Sequence, residues 1–202
     1  MGDYPIGLFR RGALMIPIIA LAGPAGSGKD TAARAIVDTF GFTLRRLADP
    51  IRATLALPAW QQALTVAGPD GPRRAAQAIG DAFRALDPAL LVRLALTDVP
   101  AQSPGVVIPD VRLLAEAEAL RQWPKAWLVF CDTDPATRAH RLRARDGRPL
   151  SAAAAQHTTE ATVDAVAALA DFRWANTGPF IETWPVLRAW LETIGFPPVM
   201  VG

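Results

Sequence analysis

The residues with the clearest chemical capacity are Gly23-Pro-Ala-Gly-Ser-Gly28-Lys29-Asp30-Thr31. Glycines at 23, 26 and 28 let the backbone turn tightly enough for successive N–H groups to face one anion. A helix that starts here aims the positive end of its dipole at the same point. Lys29 adds a mobile full charge and is expected to stand exposed over the loop. The spacing from Gly23 to Gly28-Lys29 is that of a phosphate-binding loop. The next position departs from the general pattern, which has Ser or Thr there. Asp30 offers a carboxylate oxygen to Mg²⁺, directly or through water, yet brings a negative charge near the phosphates; Thr31 supplies a hydroxyl one place later. An ordinary glycine-rich turn is the alternative, and the flanking elements argue against it.

Other candidates are individually weaker. Asp110-Val-Arg112 follows an apolar run. An Asp at a strand end can hold Mg²⁺ through water and an Arg two residues on can hold a phosphate, whereas a helix cap and a surface arginine would use the same residues structurally. Arg138, Arg141 and Arg145 share one helix face, with Arg143 and Arg148 nearby. They read either as a solvated basic face or as a lid whose guanidinium groups clamp a transferring phosphoryl group. His157 and Glu160 could be an exposed i, i+3 pair. The single cysteine, Cys131, ends an apolar run and reads as a buried thiol. Histidine and cysteine are too few for a structural zinc site.

These residues need elements to position them. Met15–Ala22 is apolar and long enough for a buried strand, and Thr31–Phe40 carries Ala33, Ile36, Val37 and Phe40 at helical spacing. Phe42–Leu47 predicts a second strand. Asp49-Pro50 starts a helix as cap plus proline, and Pro58 ends it. Gly68–Gly71 is a turn, Pro72–Leu86 a helix, and Asp87-Pro88 caps another to about Thr97. Residues 48–98 are thus a helical layer without a strand. Gly105–Pro109 is the third strand, with Pro109 awkward in a central ladder and Asp110 just beyond the end. A helix over Leu113–Trp123, a strand over Ala126–Cys131, a helix from Asp134-Pro135, a loop over Asp146–Pro149, a mostly helical Ser151–Ala170, a short strand over Phe172–Ala175 and a helix over Thr183–Ile194 complete the chain. The alternation predicts an α/β fold with a parallel sheet covered on both faces.

With 202 residues and 51% apolar content, the chain suits one α/β domain with a small lid. The formal net charge is only +2, so the basic pI of 9.2 is weak evidence for nucleic acid. The tryptophans fall mostly at core spacing, which also argues against a nucleic-acid partner. One cysteine excludes an internal disulfide and fits a reducing compartment. No apolar run approaches the roughly 18 residues that span a membrane. Residues 1–14 read as a flexible arm or as an extension ahead of a start at Met15.

Taken together, the motifs resemble those of the bacteriophage-type deoxynucleoside monophosphate kinases, P-loop enzymes that carry Gly-Lys-Asp-Thr in the loop. Leu47-Ala-Asp49-Pro-Ile-Arg52 is similar to the family's Ala-Asp-Pro helix start. Gln77, Gly80 and Arg84 look like its Gln-x-x-Gly-x-x-x-Arg helix. Val107-Ile-Pro-Asp110-Val-Arg112, with Glu116 and Glu118, resembles its Asp-Val-Arg strand end and acidic helix. His157-Thr-Thr-Glu160 is similar to a His-x-Ser-Glu element, and Asn176-Thr-Gly178 to an Asn-Asp-Gly turn. The residues after Arg112 are Leu-Leu-Ala rather than Phe-Pro-Asn, and Thr177 stands where the family has Asp.

The resemblance implies a P-loop NTPase fold: a five-stranded parallel sheet with helices on both faces, a helical acceptor-binding insertion over 48–98 and an arginine-rich lid over 138–160, within one domain spanning 15–202. It implies transfer of the γ-phosphoryl of ATP, with Mg²⁺, to a deoxynucleoside 5′-monophosphate in the cytoplasm, of a bacterial host if phage-encoded. Gly23, Ala25, Gly26, Ser27, Gly28, Lys29, Asp30, Thr31 and Asn176 would bind ATP. Asp30, Thr31 and Asp110 would lie near the metal. Asp49, Arg52, Arg84, Asp110, Arg112, His157 and Glu160 would face the acceptor, and Lys29, Arg138 and Arg141 would act on the transferring group. A homodimer is compatible with the chain. Rival readings are a kinase for dephospho-coenzyme A or another small molecule, a kinase for a modified base within DNA, and a nucleotide-switched binding module without catalysis.

Overall fold

The computed structural model describes residues 16–66, 68, 70–146 and 160–199. Five strands form one parallel sheet: β1 (Ile18–Ala22), β2 (Thr43–Leu44), β3 (Val106–Val111), β4 (Ala126–Asp132) and β5 (Phe172–Ala175), in the order β2-β3-β1-β4-β5. The helices are α1 (Lys29–Phe40), α2 (Asp49–Leu55), α3 (Pro58–Val66), α4 (Gly71–Leu86), α5 (Leu90–Ala95), α6 (Leu114–Arg121), α7 (Pro135–Asp146), α8 (Glu160–Ala168) and α9 (Phe180–Thr193). The predicted five-stranded parallel sheet with flanking helices is therefore the observed one.

Two apolar cores, one on each face, account for the continuous apolar strands. Along β1, Ile18, Ala20 and Ala22 join one core while Ile19 and Leu21 join the other, the two-residue alternation of a strand buried on both sides. The first core is closed by Leu91, Val92 and Ala95 of α5, Ala117 and Leu120 of α6, and Val166 of α8. The second is closed by Ala33, Ile36 and Phe40 of α1 and by Leu187 and Leu191 of α9, with Trp174 of β5 fully buried between them. Cys131 is buried as well, and burial pushes its thiol up to about 12, which keeps it protonated and inert. Among the described residues no helix is long and apolar enough to cross a membrane.

Several expectations are corrected. Asp110 lies inside β3, not beyond it, and Pro109, expected as the last strand residue, is followed by two more. The proline is tolerated because β2 pairs only as far as Val107 and the β1 register shifts between Ala20 and Ala22, so no regular ladder demands an N–H at position 109. The second strand is two residues long instead of six, because the chain leaves the sheet once its N–H groups at Arg46, Leu47 and Ala48 are taken by carboxylates. Pro58 does not merely terminate α2; it opens α3, where its missing N–H costs nothing. Helix α1 begins at Lys29, two residues early, since Gly28 itself forms the cap. Helix α9 begins at Phe180, three residues early, and carries the exposed Pro185. Asp49 sits inside α2 and accepts from the Arg46 N–H at 3.1 Å, so it braces the approach to the helix in place of capping it. Of the predicted helical stretch Ser151–Ala170, Glu160–Ala168 is helix α8, and residues 151–159 lie outside the described residues.

Candidate functional site

The carboxyl ends of β1 and β3 open into a cleft of about 990 Å³ between the glycine loop, α2, α4 and α7. Ala25, Gly26, Gly28, Lys29, Asp30 and Thr31 line it, as do Arg52, Arg84, Asp110, Arg112 and Arg141. These predicted site residues, distant in sequence, converge as expected at the strand ends.

The loop keeps its shape through glycine. At Gly26, with φ 79°, an added Cβ would lie 2.8 Å from the carbonyl oxygen of Arg138, against which α7 packs with Leu142. At Gly28, with φ 91°, it would collide with the amide nitrogen of Asn176. Gly28→Ala therefore combines a left-handed backbone penalty with a clash against a buried amide, together about 2–4 kcal/mol. We expect this variant to melt several degrees lower and to lose nucleotide binding; an unchanged melting curve with intact binding would show that the loop relaxes freely.

Asn176 is 1% exposed and stands behind the loop rather than in the cleft. Its Nδ2 donates to the Ser27 carbonyl at 2.8 Å, its Oδ1 accepts from Thr183 Oγ1 at 2.7 Å, and its own N–H donates to Asp132 at 2.7 Å. Thr133 Oγ1 reaches both the Ser27 carbonyl at 3.3 Å and the Asn176 carbonyl at 3.2 Å. Ser27, itself wholly buried, is thus fastened to the ends of β4 and β5 and to α9.

Lys29 is half-buried, contrary to the expected exposure. Its Nζ donates to the carbonyls of Gly23 at 2.7 Å and Pro24 at 2.8 Å and to Ser27 Oγ at 3.3 Å, folding over its own loop. Desolvation lowers its pKa to about 8, with nearby Arg112 acting in the same direction. The helix that follows leaves its first N–H groups without intrahelical acceptors, open to an anion.

The three carboxylates of the cleft are all engaged. Asp30 Oδ1 pairs with Arg46 Nη1 at 2.7 Å. Asp110 accepts from the N–H groups of Leu47 at 2.9 Å and Ala48 at 3.0 Å. Glu116, 5% exposed, accepts from the N–H groups of Arg112 at 3.0 Å and Leu113 at 3.1 Å and from Arg84 Nη1 at 3.3 Å. Burial raises the pKa of Asp110 and of Glu116, opposed in each by the backbone donors.

On the other side of the loop, Arg141 Nη2 donates to the Gly178 carbonyl at 2.9 Å, while its Nη1 is buried without a partner near Gly28. Arg138 Nε is also buried and unpartnered, but Arg138 does not line the cleft. Arg112 is exposed into the cleft. Arg52 pairs with Asp49 at 3.0 Å and Arg84 with Asp81 at 2.7 Å. His157 lies outside the described residues, as does the rest of the lid over 147–159; of Glu160 only the helical backbone is described. Sequence reasoning missed Arg34, Arg46 and the linking role of Thr133 and Thr183. Nothing in their spacing marks them, although an arginine pair immediately before a cap-plus-proline helix start could have flagged Arg46.

The residues suit Mg²⁺ brought with a nucleotide rather than a protein-built metal cage. Among the described residues no three His, Cys, Asp or Glu side chains gather as a ligand set. The exposed Thr31 and the 58%-exposed Asp30 carboxylate, however, give the hard oxygen donors that a phosphate-bound Mg²⁺ uses beside its waters. If Asp30 has this role, Asp30→Asn should raise the Mg²⁺ concentration for half-maximal rate severalfold, and Asp30→Ser should keep more activity than Asp30→Ala. The same Mg²⁺ dependence in all three variants would remove Asp30 from the metal's surroundings.

No family model and no curated protein matches the chain. Solved structures do. TT1252 from Thermus thermophilus matches with a TM-score of 0.56 at 20% identity over 89% of this chain and 98% of that one. Shikimate kinase from Acinetobacter baumannii, in complex with shikimate, gives 0.56 at 18% over 89% and 95%. A gluconokinase from Sinorhizobium meliloti 1021 gives 0.53 at 18% over 88% and 93%. At these identities the likeness is one of fold: the chain has the P-loop kinase fold.

Proposed function

We propose that the chain transfers the γ-phosphoryl group of ATP to the phosphate of a deoxynucleoside 5′-monophosphate. An acceptor phosphate oxygen forms a bond to Pγ as the bridging oxygen between Pβ and Pγ departs with ADP, leaving a deoxynucleoside diphosphate. Two of the structures that share this fold are kinases, in keeping with phosphoryl transfer.

The charge of the cleft carries this reading. Lys29, Arg34, Arg46, Arg52, Arg84, Arg112 and Arg141 are seven lining cations against the lining carboxylates Asp30, Asp110 and Glu116 and, outside the lining, Asp49 on Arg52 and Asp81 on Arg84, so the cleft keeps a net positive field. A neutral acceptor bearing only hydroxyls would leave much of that field unmatched, whereas a monophosphate brings about −2. The engaged carboxylates support the same choice. A hydroxyl acceptor profits from a general base, yet Asp110 and Glu116 are already held by two backbone N–H groups each, and Asp30 has one oxygen paired with Arg46 and the other assigned to the metal's surroundings. A phosphate acceptor is an anionic nucleophile already, so alignment and charge stabilisation suffice.

In this assignment Lys29 and the start of α1 hold the donor phosphates, and Arg141, with Arg138 behind it, attends the transferring group. Arg52, Arg84 and Arg112 grip the acceptor phosphate on the side formed by residues 48–98. Bound Mg²⁺ would neutralise charge on the donor oxygens beside Asp30 and Thr31. A lid over 138–160 would exclude water, which otherwise competes for the phosphoryl group.

The test is a panel of acceptors with ATP, scored by ADP release and product mass: deoxynucleoside and ribonucleoside monophosphates, dephospho-coenzyme A, gluconate, shikimate and DNA carrying a modified base. Turnover confined to the monophosphates is expected. Phosphorylation of a hydroxyl acceptor alone would reassign the substrate, and nucleotide binding without transfer to any of them would leave a binding module.

A further inference from the structure

The half-buried Asp110 and the buried Glu116 are two carboxylates of the cleft, and both are used alike. Each accepts hydrogen bonds from two consecutive backbone N–H groups, Leu47 and Ala48 for Asp110, Arg112 and Leu113 for Glu116. Consecutive N–H groups aimed at one carboxylate fix the local backbone in a single conformation, and charge makes each such bond roughly twice as strong as a neutral one. The first pair fixes the turn between Arg46 and α2, the helix that carries Arg52. The second fixes the exit of β3 at Arg112 itself. Glu116 also receives Arg84 from α4.

The bonds run on as one connected path. Asp30 on α1 pairs with Arg46; the turn after Arg46 hangs from Asp110; two residues beyond Asp110 lies Arg112; the Arg112 backbone hangs from Glu116; and Glu116 holds Arg84. Three arginines from separate parts of the chain, Arg46, Arg84 and Arg112, are therefore set against one another, with Arg52 carried on the helix after the fixed turn, by two carboxylates that do not need to touch a ligand. Both oxygens of Asp110 are engaged in this work, and the residue is half-buried. The second lone pair on each oxygen is open to a metal-bound water, but a carboxylate drawn toward a metal weakens its bonds to Leu47 and Ala48, so the turn that positions the arginines and the metal compete for it.

We infer that Asp110 and Glu116 are positioning residues that preset the acceptor-side arginines, and that Asp110 is not a ligand of the Mg²⁺ shell. The inference rests on the phosphate-acceptor reading for its functional consequence, but not for its structural one.

Two measurements on the full chain separate these. Amide hydrogen exchange by NMR without any ligand should show slow exchange at Leu47, Ala48, Arg112 and Leu113. Asp110→Asn should lose protection at the first two, and Glu116→Gln at the last two, with α1 and β4 unchanged. Steady-state kinetics with the best monophosphate of the panel should show acceptor KM raised about 10-fold in each variant, kcat and ATP KM within about twofold, and the Mg²⁺ half-saturation unchanged. Normal protection in both variants would overturn the positioning role, and so would an unchanged acceptor KM. A higher Mg²⁺ half-saturation in Asp110→Asn would return Asp110 to the metal. If no monophosphate is phosphorylated, the functional reading fails while the exchange experiment still decides whether the carboxylates hold the turns. If Asp110→Asn fails to fold, Glu116→Gln tests the same claim through its own pair of amides.

Discussion

Lys29→Ala is expected to lower turnover by about 10²- to 10³-fold with the fold intact, corresponding to roughly 3 kcal/mol or more of lost charge stabilisation. Its ammonium now rests on two carbonyls and one hydroxyl of the same loop, all neutral acceptors. Triphosphate oxygens carry full charge, so exchanging the first set for the second is favourable, and the flexible side chain can make that exchange without backbone movement. Removing it leaves the carbonyls of the half-buried Gly23 and Pro24 within reach of water, while the buried Ser27 Oγ loses only its long 3.3 Å contact, so the melting temperature should change little. A folded variant, judged by circular dichroism, that retains near-normal kcat would show that this loop is not the donor site.

The same lysine gives a pH signature. Its pKa in the ligand-free protein is lowered to about 8 from the ordinary 10.5, chiefly by desolvation. A lysine depressed on folding costs stability while both states are protonated, below about pH 8; that cost is relieved as pH rises from 8 toward 10.5, where the unfolded chain binds the extra proton. Phosphate binding reverses the shift, since an anion favours the charged amine. Nucleotide binding should therefore take up protons near and above pH 8, seen as a dependence of the calorimetric enthalpy on buffer ionisation, and ATP affinity should weaken as pH rises through that range. Loss of the proton uptake in Lys29→Ala would assign it to this residue.

The fold was legible because its signals were redundant. The five residues of β1 are apolar without interruption, the glycine loop follows at once, and the next helix repeats its apolar face; each observation restricts the others. The cap-plus-proline pair at 134–135 marked a real helix start, with Asp134 holding the N–H of Thr137, whereas after 87–88 the helix starts two residues late, at Leu90, behind a turn in which Asp87 holds the N–H of Ala89. What failed to show was tertiary. Asp49 is one residue out of register as a cap because Arg46 and Asp110 compete for the turn. Pro109 signals a strand end locally, but the shortness of its neighbour β2 makes room for it within β3. Helix α3 buries none of its residues, so no clear apolar stripe announced it. In the site, residue types predicted which groups would meet but not whom each would bind. Asn176 was grouped with the nucleotide ligands, yet its amide braces the loop from behind. The distinction depends on which face of the loop a side chain approaches, a property of the packed sheet rather than of any local pattern.

In the proposed assignment Arg112 serves the acceptor and Arg141 the transferring group, and their replacement should divide the kinetics accordingly. Arg112 leaves the end of β3 toward the acceptor side, its backbone fixed by Glu116 and its guanidinium exposed to the cleft. A group that meets the acceptor on arrival contributes equally to ground and transition states. Arg112→Ala should therefore raise the acceptor KM by at least 10-fold and change kcat little. Arg141 lies on α7, which packs on Gly26; one nitrogen is tied to the Gly178 carbonyl, and Nη1 is buried and unpartnered near Gly28. A buried donor without a partner is costly unless an anion fills the position, and at the mouth of this loop the charge that grows during transfer is the natural occupant. Arg141→Ala should lower kcat by about 10²-fold with the acceptor KM nearly unchanged. Lysine should rescue neither fully, because a point charge lacks the planar two-pronged grip; at position 141 it would also have to abandon either Gly178 or the phosphoryl group. Steady-state kinetics with ATP saturating and the acceptor varied will separate the two. Equal patterns of loss, or a kcat effect confined to Arg112, would mean that α7 holds the donor passively and that the charge-stabilising group stands at the end of β3.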